Sequence, residues 1–258
     1  MSPGRWRQVQ MKNRIEGFDR ALDFPLRPPW LPFLLAFALL VLLATLLPRW
    51  EDLVLLSGSV AWLVVCGVAT RAGDDTPEGW PSRDLGGLLA LRESALLLSV
   101  SVLSSIPILI VSLIVAGELG PEETFSSLGS FLVFLLASYL ALGVCLAIWL
   151  PSVGLITRGE AALSTLIRVD RHFLFWFQAK REGVKYWLVS LFFLILAGSM
   201  GDLAVYDRWP RLGTVEPAIL ALGFGYWSLL SIRLASALAE EFEGLLDSLY
   251  GSSVPRST

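Results

Sequence analysis

Six stretches of this chain approach the roughly 20 apolar residues that a helix needs to cross the hydrocarbon core of a bilayer. They are residues 30–47, 53–70, 94–117, 128–150, 186–205 and 218–238. The first four carry no charged residue, while Asp202 stands near the end of the fifth and Arg233 near the end of the sixth. A long side chain at a helix end reaches back to the headgroups, so Arg233 does not interrupt its span. Backbone polar groups in hydrocarbon must be satisfied within the chain, which leaves the helix as the element these runs form. The predicted fold class is therefore an all-α, polytopic integral membrane bundle of about six transmembrane helices.

Composition agrees with that reading. The chain is 55% hydrophobic and only 17% charged, against roughly 25% charged in a soluble domain; its mean hydropathy is +0.65. The predicted organisation is an N-terminal amphipathic segment and proline-rich elbow at 1–29, a membrane domain at 30–239 and a C-terminal tail at 240–258. The predicted connections are all too short for a folded extramembrane domain. Residues 1–29 have basic side chains but no apolar core, unlike a cleavable secretory signal. Within them Met11, Ile15, Phe18 and Leu22 share a helical face, and Pro25, Pro28, Pro29 and Pro32 break the chain before the first span.

Orientation follows from the basic residues, because Lys and Arg near membrane ends stay in the cytoplasm. With the N-terminus inside, the outer loops hold only Arg49, Arg208 and Arg211 of the 20 Lys and Arg residues. Both termini are thus expected to be cytoplasmic. Trp30, Trp149 and Trp187 fall at inner span ends, and Trp50 and Trp209 at outer ones, the pattern of an interfacial belt. Trp62 and Trp227 lie within their runs and are expected to fill space between helices. Cys66 and Cys145 sit apart in apolar runs and are expected to pack as small side chains.

The segment RVDRHFLFWFQAKREGVKYW, from Arg168 to Trp187, is the richest in chemistry and contains the only histidine. Ala162, Leu166, Val169, Phe173 and Trp176 recur at helical spacing, opposite Ser164, Arg168, Arg171 and Gln178. This predicts a cytoplasmic interfacial helix at about 160–181, with Arg168, Arg171, Lys180, Arg181, Lys185 and Trp176 as contacts for anionic headgroups. A catalytic reading would pair His172 with Asp170. Residues two apart on a helix point to different sides, so Asp170 does not orient His172. His172 is accordingly expected to be incidental.

The third span, SALLLSVSVLSSIPILIVSLIV, sets Ser94, Ser101, Ser105 and Ser112 near one face and Pro107 in the middle. A kinked, hydroxyl-bearing helix packs closely against its neighbours or edges a polar path for a small solute. Small residues four apart, such as Ala137, Ala141 and Cys145, Ala197 and Gly201, or Ala221 and Gly225, suit close helix packing. Arg92 and Glu93 are expected to join Arg233 and Glu240 in an ion-pair network at the inner face. Residues 9–70 and 160–238 each read as a surface helix followed by two spans, a faint parallel repeat.

Several function classes find no support in the residues. One histidine cannot make HExxH or a His-rich metal site, and GxSxG, P-loop and GxGxxG patterns do not occur. No carboxylate pair lies deep in a span, as proton or cation coupling usually requires. The net charge of -3 and the scattered basic residues argue against nucleic acid. No catalytic, cofactor-binding or metal residue is assigned.

FPLRPPWLPFLL, a second span, and then GDDTPEGWPSRDLGG before a third span resemble a family of prokaryotic multi-pass membrane proteins catalogued as domain of unknown function 4013. The stretch ITRGEAALSTLIRVDRHFLFWF is similar to the amphipathic connector of that family. The resemblance implies a prokaryotic cytoplasmic membrane location and carries over no activity or binding residue. The expected function is a non-enzymatic accessory or lipid-organising membrane protein. The alternatives are a small-solute transporter or channel subunit using the third span, and an intramembrane enzyme. Expected partners are the bilayer with its anionic headgroups, other membrane proteins or a second copy of the chain.

Overall fold

A computed structural model describes residues 21–27, 30–47, 49, 51–70, 88–118, 128–159, 163–205 and 216–251. Most of the predicted N-terminal amphipathic segment, the connections at 71–87, 119–127 and 206–215, and residues 252–258 lie outside the described residues, and with them Trp50 and Trp209. Among the described residues the chain is helical and contains no strand. A 3-10 turn, Phe24–Leu26, precedes α1 (Trp30–Leu46), α2 (Glu51–Ala69), α3 (Leu88–Glu118) and α4 (Leu128–Thr157). Then come α5 (Leu163–Leu166), α6 (Val169–Val205), α7 (Glu216–Glu241) and α8 (Glu243–Tyr250).

Five of these helices, α2, α3, α4, α6 and α7, are long and apolar enough to cross a membrane. The first predicted span, α1, is apolar but has 17 residues, about 25 Å at 1.5 Å per residue. Pro32 falls in its first turn, where a missing N–H costs nothing. Pro107 is accommodated inside α3 and Pro151 inside α4. The sequence reading ends the fourth span at Leu150, but α4 continues to Thr157 through Pro151, because neighbouring helices stabilise a proline-containing membrane helix.

The core is built on α4 and α7. Leu150, Val153 and Ile156 of α4 and Leu229, Leu230, Leu234 and Ala235 of α7 are fully buried. Around them, α7 packs against α1, α2, α4 and α6, while α4 also packs against α3 and α6. Gly154 brings α4 onto α7: a Cβ there would lie 3.0 Å from the Ala235 carbonyl oxygen and 3.1 Å from the Ala239 Cβ. Exposed leucines and isoleucines line the outer sides of α1, α2 and α3, including Leu39, Leu56, Leu109 and Leu113. That is the distribution expected where the surroundings are hydrocarbon.

Lipid is as apolar as leucine, so helix association in a bilayer depends on close packing and interhelical hydrogen bonds. Five indoles supply such bonds here. Trp62 donates to Ser228 Oγ at 3.1 Å, and Trp149 to Ser231 Oγ at 3.1 Å. Trp227 donates to the Ser190 carbonyl at 3.1 Å, and Trp187 to the Gly143 carbonyl at 2.9 Å. This corrects the belt assignment of Trp30, Trp149 and Trp187: Trp30 and Trp149 are buried, and the N–H groups of Trp149 and Trp187 point into the bundle. A buried indole N–H takes the acceptor within reach, and the neighbouring helix offers one before water does.

The single interfacial helix predicted at 160–181 is divided. The short α5 ends at Leu166, α6 restarts at Val169, and α6 itself bends at Lys180, whose φ and ψ are 51 and -143. The segment after Glu240, whose Phe242, Leu245, Leu246 and Leu249 continue the helical pattern of the sixth predicted span, is helical up to Tyr250 but not as one helix. Phe242 leaves the helical region at φ -114, and α8 then turns back onto α6. Leu246 of α8 is 1% exposed and belongs to the main core.

Candidate functional site

His172 is fully buried where α4, α5, α6 and α8 meet. Its Nε2 lies 3.1 Å from the Leu166 carbonyl oxygen and 3.2 Å from Ser152 Oγ. The Tyr250 hydroxyl lies 2.6 Å from Nδ1. A carbonyl can only accept, so Nε2 carries the proton and Nδ1 accepts from Tyr250. Burial raises the pKa of the Tyr250 phenol and keeps it a donor. Ser152 donates to the Ile148 carbonyl at 2.7 Å, so its oxygen can only receive from Nε2.

The expectation that His172 is incidental is therefore corrected: it is the hub that joins four helices. Its proton arrangement does not suit base catalysis, because Nε2 already carries a proton where a serine proton would have to go. Asp170 is exposed and makes no hydrogen bond to the imidazole, in line with its helical spacing. Ser152 and Tyr250 were not predicted as partners. Neither has a local sequence signal, since one follows Pro151 inside an apolar run and the other lies in the tail.

Further polar bonds hold α8 and the end of α7. Arg158 bonds Asp247 at 2.8 Å and Glu243 at 3.5 Å, and an Arg171 guanidinium N–H donates to the Leu249 carbonyl. Tyr186 donates to Glu241 at 2.7 Å, and Lys185 lies 3.7 Å from the same carboxylate and 3.3 Å from Glu182. Phe175 meets Phe242 edge to face at 5.7 Å. Of the expected inner network, Glu93 and Arg233 are buried, while Arg92 and Glu240 are exposed; Arg233 lies over the Phe24 ring at 5.8 Å.

These bonds sort the six residues expected at anionic headgroups. Arg171 and Lys185 are turned to protein partners, and Trp176 gives its N–H to the Ala147 carbonyl at 2.8 Å. Arg168, Lys180 and Arg181 are exposed. None of these three has an ion-pair partner among the described residues.

A second feature lies beside the bend of α6. Trp176 and Trp187 stand on either side of Lys180 and bond the carbonyls of Ala147 and Gly143, one helical turn apart on α4. Gly143 lets Trp187 lie flat on α4, since a Cβ there would be 2.9 Å from the Trp187 ring. With their N–H groups turned inward, the two indoles present apolar surface to a groove of about 390 Å³. Tyr139, Leu140, Val144, Phe173 and Val184 complete its lining, and Tyr139, Leu140, Phe173 and Val184 are exposed on the outside of the bundle.

The serines of α3 do not form one surface. Ser94 is buried and donates to the Leu63 carbonyl at 3.2 Å, whereas Ser105 and Ser112 are exposed. Ser101 alone of the four borders a partly open cavity of about 220 Å³, together with Ser59, Ser228, Phe37, Trp62, Trp149 and Trp227. Its hydroxyl donates to the Leu97 carbonyl at 2.8 Å. Pro107 is half-buried.

Comparison with protein-family models, with curated proteins and with solved structures finds no match to this chain.

Proposed function

We propose that this protein is a non-enzymatic membrane protein that organises lipid at its surface, as an accessory component of a prokaryotic cytoplasmic membrane. In this reading α1 serves as a sixth span, and the positive-inside pattern puts both termini and α8 on the cytoplasmic side. The observation that carries the reading is the groove between α4 and α6. It is apolar, opens on the outside of the bundle, and is walled by two tryptophans that hydrogen bonds hold in fixed orientation. A rigid apolar furrow on a lipid-facing surface holds an acyl chain at lower ordering cost than a mobile one. Purification of the protein and its Val184→Trp variant in mild detergent tests this. Filling the groove with an indole is expected to lower the phospholipid retained per protein, and unchanged retention would sink the reading.

The partly open cavity beside Ser101 favours a second reading, a pathway for a small solute, because Ser101 of α3 borders it with three tryptophans. Solute uptake into vesicles containing the protein, blocked by Ser101→Phe, would favour this reading over the first.

A further inference from the structure

We propose that the bend at Lys180 is the headgroup end of a site for one anionic phospholipid, whose acyl chain lies in the groove between α4 and α6. This rests on the groove reading above and adds the charge class of the lipid.

Lys180 and Arg181 sit in the chain between Trp176 and Val184, both of which line the groove. The two cations do not line the groove themselves but lie at the bend of the backbone between two residues of its α6 wall. Both are exposed and lack an ion-pair partner among the described residues. The basic residues on either side are committed: Arg171 to the Leu249 carbonyl, and Lys185 to Glu182 and Glu241. Glu182, the adjacent carboxylate, is paired with Lys185 at 3.3 Å. Unpaired positive charge is thus concentrated beside the apolar furrow.

The backbone points the same way. Lys180 is the only non-glycine residue with positive φ among the described residues. A glycine would enter that region without steric penalty. A long cation held there instead fits a position kept for its side chain. From Ala147 to Tyr139 the α4 wall of the groove runs about 12 Å at 1.5 Å per residue, along which a chain can lie below its phosphate. A phosphodiester accepts from both an ammonium and a guanidinium. In phosphatidylcholine the choline offsets that charge, whereas phosphatidylglycerol keeps it.

The test uses the full chain, delipidated in a neutral detergent and titrated separately with phosphatidylglycerol and phosphatidylcholine under native mass spectrometry. Wild-type protein is expected to bind one phosphatidylglycerol in preference to phosphatidylcholine. Lys180→Gln and Arg181→Gln should each weaken phosphatidylglycerol about fivefold and leave phosphatidylcholine unchanged. Lys180→Gly, which suits the backbone, should show the same loss with an unchanged or higher Tm, separating lost charge from misfolding. Val184→Trp should weaken both lipids. Equal affinity for the two lipids, or phosphatidylglycerol binding untouched in the double Gln variant, would overturn the headgroup assignment and leave the groove standing. Binding of both lipids unaffected by Val184→Trp would overturn the groove itself.

Discussion

The Tyr250 hydroxyl donates a 2.6 Å hydrogen bond to Nδ1 of His172, joining residues 78 apart in the chain. Through it the C-terminal helix α8 is fixed to the connector that leads into α6. Tyr250→Phe keeps the ring against the imidazole and removes the donor, leaving a buried nitrogen unsatisfied at a cost of about 1–3 kcal/mol. Hydrogen exchange should show faster exchange across α8 in this variant, with the spans little changed.

His172→Ala breaks the bonds to Leu166, Ser152 and Tyr250 together and leaves a cavity at a fully buried position. The expected loss is about 2–4 kcal/mol, larger than for Tyr250→Phe. Thermal unfolding in detergent measures the order of the two, and a His172→Ala variant as stable as wild type would remove the hub assignment.

Gly154 permits the close approach of α4 and α7, with the Ala235 carbonyl oxygen 3.0 Å from where a Cβ would stand. That neighbour is backbone and cannot rotate away. Gly154→Val is expected to force the helices apart and cost about 1–3 kcal/mol, whereas the same change at Gly244, with open space around it, should cost far less. A lowered Tm at the first site only is the diagnostic result.

Lys180→Gly should stabilise the fold by about 1 kcal/mol, because glycine adopts positive φ without the Cβ clash that lysine suffers. The measurement is the unfolding midpoint in detergent. A clear destabilisation would show that the lysine side chain contributes more to folding than its backbone costs.

A reporter fused after Thr258 should lie in the cytoplasm, as the distribution of Lys and Arg requires. A reporter signal from the opposite side would reverse the orientation of every loop and move Lys180 and Arg181 to the other leaflet.

Helical class and most of the spans were legible because apolar length is a property of one segment at a time. The bounds were less so at Pro151, where α4 continues because its neighbours compensate for the missing N–H. The serine face of α3 was legible as a spacing but not as a surface: Ser94 and Ser101 turn toward protein while Ser105 and Ser112 face outward. Tryptophan position in a span was a poor guide to role, since Trp149 and Trp187 near predicted inner ends donate across the bundle as Trp62 does.

The sequence by itself determined that this chain is a bundle of apolar helices with an uneven distribution of basic residues, because hydropathy and charge act through solvation and need no partner. Only the tertiary structure decided what the segment around His172 does. The partners that orient its imidazole lie 6, 20 and 78 residues away, and the groove beside Lys180 exists only where α6 bends against α4. Hydrogen-bond acceptors and groove walls come from other helices, so no local pattern in RVDRHFLFWFQAKREGVKYW could have disclosed them.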